Sequence, residues 1–376
     1  VHVFIPDVVS EEHAELRATI RRLLESRSPE TAVRRVMDSE QGYDAGLWGL
    51  MAVQLGLHGL GLPEPLGGSG YGPEETTIVF EELGRALVPS PFFPTIALAA
   101  RLLVEIGDAE TNLRYLPAIA SGELVATVAI AEGTGSWDPR DLSDVVATGS
   151  DQTWRLQGEK TMVLNADAAG LILVAVTAAD GSSVYAVDAV APGVTIVPLS
   201  TLDLTRRQSK VRFDAAPATL VGEYGTAASA VASMLDHACV ALAAEQAGAA
   251  AELMRMSVDY AKLRHQFGRP IGAFQAIKHK LADMAFDVER MDSIVRHAAT
   301  VAATSPPELP VVAAMAKVFC SEAYFRVAAD TIQIHGGIGF TWEHPAHLYF
   351  RRAKSSEYLL GSPARHRENL LEALGI

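Results

Sequence analysis

The stretch Gln333–Ser362, QIHGGIGFTWEHPAHLYFRRAKSSEYLLGS, holds features of two kinds. Gln333 is followed by Gly336 and Gly337, an amide next to backbone that can approach a phosphate closely because no Cβ intervenes. Arg351, Ala353 and Lys354 come next, and the run Leu359-Leu360-Gly361-Ser362-Pro363 closes on apolar side chains. The first part offers polar groups to a ligand, whereas a leucine cannot take a proton.

Upstream, RHQFGRPIGAFQ (Arg264–Gln275) separates two helical stripes. Leu253, Met256, Tyr260, Leu263 and Phe267 form one; Phe274, Ile277, Leu281, Met284, Val288 and Met291 form the other. Such spacing predicts the core of a helix bundle. Within the connection, Arg264 offers a planar fork of donors suited to a pyrophosphate. Phe267 offers an apolar face to a ring, and Gln275 both donates and accepts. Ser305–Pro310 (SPPELP) breaks two long helices apart.

The middle of the chain changes character. Ala126–Ile130, Thr153–Leu156, Leu171–Val176, Val184–Val187, Val194–Val197 and Lys210–Phe213 are short β-rich runs between turn residues. That pattern predicts a small antiparallel barrel or sandwich. The N-terminal part is helical again: Leu16, Ile20, Leu23 and Leu24 follow Ser10, a predicted N-cap, and Ile78, Leu83 and Leu87 resume the period after the loop Pro63–Pro73. The expected fold is α+β multidomain. It has an N-terminal helical domain (1–122), a middle antiparallel β-barrel or sandwich (123–223) and a C-terminal four-helix bundle (224–376).

Composition narrows the function. The 376 residues are 49% apolar and 20% charged, as in ordinary globular proteins, and no apolar run is long enough for a membrane span. A net charge of −14 argues against nucleic acid as partner. The N-terminal VHVFIPDVVSEEHAEL lacks the basic start and apolar core of a signal peptide, so a cytoplasmic location is expected. Cys239 and Cys320 match no metal-ligand spacing; no metal is expected, and both read as buried small residues of a reducing compartment.

Taken in order, these motifs resemble the acyl-CoA dehydrogenase family along the whole chain. The Arg-x-x-Phe-Gly-x-x-Ile-x-x-Phe-Gln pattern at Arg264–Gln275 is the most specific element, and Pro63, Glu64, Gly67, Gly68, Gly70 and Glu81–Arg85 match a second. The resemblance implies FAD as cofactor, an acyl-CoA thioester as substrate, α,β-dehydrogenation as reaction, and an electron-transferring flavoprotein as acceptor. It also implies that Arg264, Phe267, Gln275, Gln333, Gly336 and Gly337 reach the ADP half of a neighbouring subunit's FAD, hence a homo- or hetero-tetramer. In the chain's own β domain, Ala131–Asp138 stands where the family has a flavin-contacting loop. Glu132 and Asp138 match, the proline is lost, and Ser136 and Met162 are the weaker candidates for ring contact. Leu164 stands where the family commonly has a hydrogen-bonding residue.

The reaction needs a carboxylate near the substrate's α-carbon. The family places it before a glycine, after five residues intervening from the Arg-x-Ala-Lys motif, or one residue before an arginine on the first bundle helix. Here those positions are Leu360 and Ala238, the latter followed by Cys239. Glu357, Asp236 and Glu245 are substitute candidates; Glu357 shares a face with Leu360 if the segment is helical. His237 and His335 read as structural. These departures resemble the base-lacking subunits of actinobacterial heteromeric acyl-CoA dehydrogenases, which pair with a Glu-bearing paralogue. The alternatives are a self-sufficient homo-oligomeric dehydrogenase using a base such as Glu357, or a non-catalytic flavin-binding or structural subunit.

Overall fold

The structure, a computed structural model, describes residues 10–150 and 153–375. The reading of the first nine residues as part of no signal peptide falls outside the described residues. Helices come first: α1 (Glu11–Arg27), α2 (Glu30–Met37), α3 (Ala45–Gly49), α4 (Pro73–Arg85), α5 (Arg101–Ile106) and α6 (Ala109–Ala120). Ser10 caps α1 by accepting from the His13 N–H, as its position predicts. Leu87 does not continue α4; it lies past the helix end with φ 49°. The loop before α4 is held by close backbone approach, since a Cβ on Gly68 would stand 1.9 Å from the Leu62 carbonyl oxygen.

The sheet follows: β1 (Ala126–Ala129), β2 (Val146–Ser150), β3 (Thr153–Leu164), β4 (Leu171–Ala178), β5 (Gly181–Asp188), β6 (Val194–Pro198) and β7 (Gln208–Val221). It is an open mixed sheet in the order β1-β4-β5-β7-β3-β2, with β6 also on β7. The antiparallel barrel or sandwich expected from strand spacing is therefore corrected in two respects: the sheet is mixed, and it does not close. First, β1 and β4 pair in parallel, Ala126 with Leu171 through Ala129 with Val174, because the β2–β3 hairpin intervenes and the chain re-enters the edge in the same direction. Second, β7 is long and carries Ala215 at φ 50°. Its first part pairs with β6 and its last part with β5, so the two halves diverge instead of closing a cylinder.

The last block contains α7 (Ala228–Leu263), α8 (Gln275–Thr304), α9 (Leu309–His335), α10 (Ala346–Tyr358) and α11 (Pro363–Leu374). Between α7 and α8 lies a two-stranded hairpin, β8 (His265–Gln266) and β9 (Arg269–Pro270). The helical stripes are core only in part: Leu253, Met284 and Met291 are buried, but Leu263 and Phe267 are exposed. α7 packs on α8 and α9 and also on α4 of the first block. That crossing is close because it is made at glycines: a Cβ on Gly84 would sit 2.0 Å from the Glu245 carbonyl oxygen, and one on Gly248 1.8 Å from that of Glu81. Among the described residues, no helix is long and apolar enough to cross a membrane.

Candidate functional site

The α7–α8–α9 arrangement brings one set of candidates to one end of the helices. α7, α8 and α9 pack against one another, and α7 and α9 touch directly near their C-termini. The ring of Tyr260, near the end of α7, stacks on His335 at the end of α9, with centroids 4.4 Å apart. Ser257 and Thr331 bond between the same helices, 3.1 Å apart. Arg264, Phe267 and Gln275 thus lie at the same end of the helices as Gln333, Gly336 and Gly337, and all six are exposed.

The local geometry there displays side chains outward. Phe267 occupies the hairpin tip with φ 51°, followed by Gly268 at φ 78°, and is 90% exposed. A left-handed aromatic held in solvent is costly, and its one ring contact among the described residues is edge-to-face with Phe274 at 6.1 Å. The Arg264 backbone closes the hairpin, its N–H donating to the Tyr260 carbonyl and its carbonyl accepting from the Ile271 N–H, while its guanidinium makes no bond within the described residues. Gly336 ends α9 at φ 66°, and a Cβ on Gly336, Gly337 or Gly268 would meet nothing within 4 Å. The residues present fit the phosphates and adenosine of a dinucleotide: donors, open backbone and an apolar face stand free together.

The second set lies in the β domain. Glu132 is 3% exposed; its carboxylate accepts from the Ser143, Asp144 and Val145 N–H groups and from Lys160 Nζ at 2.7 Å. Burial pushes this carboxyl's pKa upward, but the Lys160 and backbone donors win and hold it below the usual range. Glu132 therefore fixes the loop and has no capacity left for a ligand. Asp138 bonds Arg140 and, at 2.6 Å, Arg365 of α11. Ser136 accepts from the Asp138 N–H through its hydroxyl, and Met162, at φ 51°, lies against Gly135 in the same loop. Leu164 is buried, and its carbonyl accepts from the Thr127 hydroxyl. The face that would hold a flavin ring thus offers Met162 and backbone, with no donor from position 164.

The third set surrounds the two base positions. α10 stops at Tyr358, so Leu360 lies in a turn with φ 62°, 4% exposed. This corrects the expectation that Glu357 shares a helix face with it. Glu357 instead pairs with Lys354 at 2.8 Å, and its carbonyl, with that of Ser356, accepts from Lys317 Nζ. Lys317 is fully buried, also donates to Ser321 Oγ at 3.0 Å, and is lowered by burial to a pKa of about 8. Its ammonium closes the end of α10, where helix carbonyls otherwise lack partners. Ala238 is fully buried, and Cys239 lies 4.0 Å from His366 Nε2, which donates to the Leu360 carbonyl at 2.9 Å. Leu360 and Cys239, the residue after the second base position, both approach His366, which the sequence reading did not single out. Its burial lowers it to about 4, so it is neutral at pH 7. Its spacing four residues after Ser362 in α11 is the one sequence signal it offers.

The other substitutes separate clearly. Glu245 is clamped by Arg206 and by Arg352 at 2.6 Å, and Arg352 also binds Asp203 at 2.6 Å, in a buried network joining α7, α10 and the loop before β7. Two guanidiniums hold the Glu245 carboxylate in place and occupy its acceptor oxygen. Asp236 has no such partner, and burial raises it to about 7. His237 accepts from Arg101 Nη2 at 2.6 Å, and burial lowers it to about 3. His335 bonds the Thr331 carbonyl. Cys239 and Cys320 are free, buried thiols.

Three family profiles match: "Acyl-CoA dehydrogenase, N-terminal domain" over residues 10–123, "middle domain" over 127–215 and "C-terminal domain" over 228–375. The chain is 37% identical to "Acyl-CoA dehydrogenase IpdE2" of Mycolicibacterium smegmatis, covering 97% of this chain and 99% of that one. Among solved structures it resembles a chain of the Tcur3481–Tcur3483 steroid ACAD, at 33% identity and TM-score 0.88 over 98% of this chain and 99% of that one. It also resembles a chain of the ChsE4–ChsE5 complex from Mycobacterium tuberculosis, at 29% identity and TM-score 0.89 over 99% of each.

Proposed function

The chain belongs to the acyl-CoA dehydrogenase family, a family of oxidoreductases, and from that premise we propose that it is the base-lacking subunit of a heteromeric, FAD-dependent acyl-CoA dehydrogenase. One observation carries the reading: both base positions are filled by buried side chains that take no proton, Leu360 and Ala238, while the ADP-facing set stands exposed and free. Arg264, Phe267, Gln275, Gln333, Gly336 and Gly337 would grip the pyrophosphate and adenosine of a neighbouring subunit's FAD. Held there, FAD would supply the two-electron acceptor for the dehydrogenation, and the carboxylate that takes the α-proton would come from a paralogous chain. This chain's share is to hold, orient and shield. Two relatives with paired names, one called a steroid ACAD and one a complex, support this assembly and make steroid-derived acyl-CoA thioesters the first substrates to try. A tetramer, an electron-transferring flavoprotein as acceptor, and a cytoplasmic location suited to two free thiols belong to the same reading.

Co-expression with a Glu-bearing paralogue tests it. The expected result is one stable complex with half a flavin per chain that turns over acyl-CoA. A full flavin per subunit and turnover in this chain alone would refute the heteromer. A second reading, a self-sufficient enzyme, draws support from Asp236, whose pKa near 7 suits a general base. In that case turnover by the chain alone is abolished in Asp236→Asn; the heteromer expects no such turnover to lose.

A further inference from the structure

A separate cavity of about 140 Å³ lies between α4, α5 and α7, behind the loop that precedes α4. Its walls include Leu62, Phe80, Ile96, Ala97, Val104 and Val240. On α7, His237, Val240 and Ala241 face it, whereas Cys239, which approaches His366 and the Leu360 turn, projects from the opposite side of the helix. It is thus not part of the site built around Leu360.

Its polar groups are unusual for an apolar cavity. His58 lines it and is 1% exposed, wedged edge-on between Trp48 and Phe92 at centroid distances of 4.0 and 5.2 Å. The Met51 backbone lies near the ring, but neither ring nitrogen makes a hydrogen bond of normal geometry. Arg101 spends Nη2 on Glu105 and on His237 Nε2, but its Nε is buried without a partner. Burial lowers the Arg101 pKa even with Glu105 beside it, so the pair leaves the cation under-compensated. A buried polar atom without a partner keeps its desolvation penalty uncompensated, and native interiors rarely leave such atoms without a ligand or water.

The size and chemistry select the occupant. A cavity of this order holds one benzene-sized body. Around that body the walls are apolar, and the free guanidinium N–H seeks an anionic oxygen. We propose that this cavity is a binding site for a small monocarboxylate of benzoate size, its ring against Leu62, Phe80 and Val240 and its carboxylate on Arg101 Nε, with His58 completing the polar wall. The site is independent of the acyl-CoA reading, since it uses neither the flavin-facing set nor the base positions.

Isothermal titration calorimetry of the full chain with sodium benzoate tests this, with toluene and benzyl alcohol as controls. Saturable binding at one site per chain is expected, with toluene bound at least tenfold more weakly. Arg101→Met and His58→Phe should each weaken benzoate at least tenfold, with circular dichroism confirming the fold. Should either variant fail to fold, Ala97→Leu, which fills the cavity from its apolar wall, should abolish binding. No saturable benzoate binding, equal binding of toluene, or unchanged affinity in folded Arg101→Met or Ala97→Leu would overturn the proposal.

Discussion

At the end of the bundle where α7 and α9 finish, polar and aromatic groups are exposed: the Arg264 guanidinium has no partner among the described residues, Phe267 stands 90% in solvent with only its edge-to-face contact to Phe274, and Gly336 leaves backbone open. At the turn after α10 the reverse holds. Leu360 is buried, Lys317 has its three donors matched to Ser321 and two carbonyls, and His366 is spent on the Leu360 carbonyl. The first region is stable only in the sense that nothing within the chain pays its exposed groups back, so it is built for something outside. The second is largely satisfied internally, and Leu360 and Ala238 themselves can take no proton. On the proposed reading, the exposed set would serve as a grip and the closed turn would mark a supporting subunit.

Substitutions in the two regions should therefore differ in kind, and four experiments probe that contrast. The largest effect is expected from Arg352→Met, which leaves Asp203 and Glu245 as buried charges short of a partner. Removing one member of a buried network costs about 3–5 kcal/mol, read as a lower midpoint in urea unfolding. Lys317→Met strips the donor from the Ser356 and Glu357 carbonyls and should cost about 2–4 kcal/mol; a loss below half a kcal/mol would show that the turn after α10 does not depend on it. Arg264→Ala should leave the unfolding midpoint almost unchanged but weaken flavin retention by the complex roughly tenfold or more, the worth of a charge-assisted hydrogen bond. Unchanged flavin content would remove the pyrophosphate assignment.

The fourth effect is on pH dependence. His366 titrates near 4 when folded and near 6.5 when unfolded. Between those values the unfolded chain binds more protons, so stability is full above about 6.5 and falls as pH drops toward 4. His366→Gln should flatten that part of a melting-temperature profile. An unchanged slope would place the acid sensitivity in other buried histidines, such as His237.

Much of this contrast was legible before the structure, for reasons of range. Ser10 as a cap, the break at Ser305–Pro310 and the Arg264–Gln275 connection depend on local chemistry, and local chemistry is written in neighbouring residues. The parallel pairing of β1 with β4 was not legible, because it depends on how the chain returns across the β2–β3 hairpin. Leu263 and Phe267 continued a core rhythm in sequence yet lie in solvent, since periodicity marks a face without saying whether anything covers it. The clamping of Glu245 and the convergence on His366 were hidden for the same reason: Arg206, Arg352 and Leu360 are distant along the chain. The absence of a carboxylate at Leu360 and Ala238 was plain from identity alone; that every nearby carboxylate but Asp236 is already engaged required the fold.

The central claim is that this chain grips but does not react. It is tested most directly by purifying the chain alone, loading it with FAD, and mixing it anaerobically with a panel of short, branched, long and steroid-derived acyl-CoA thioesters while following flavin absorbance. The account expects the flavin to stay oxidised, and to bleach only when the Glu-bearing paralogue is present. Rapid bleaching by the chain alone would contradict it.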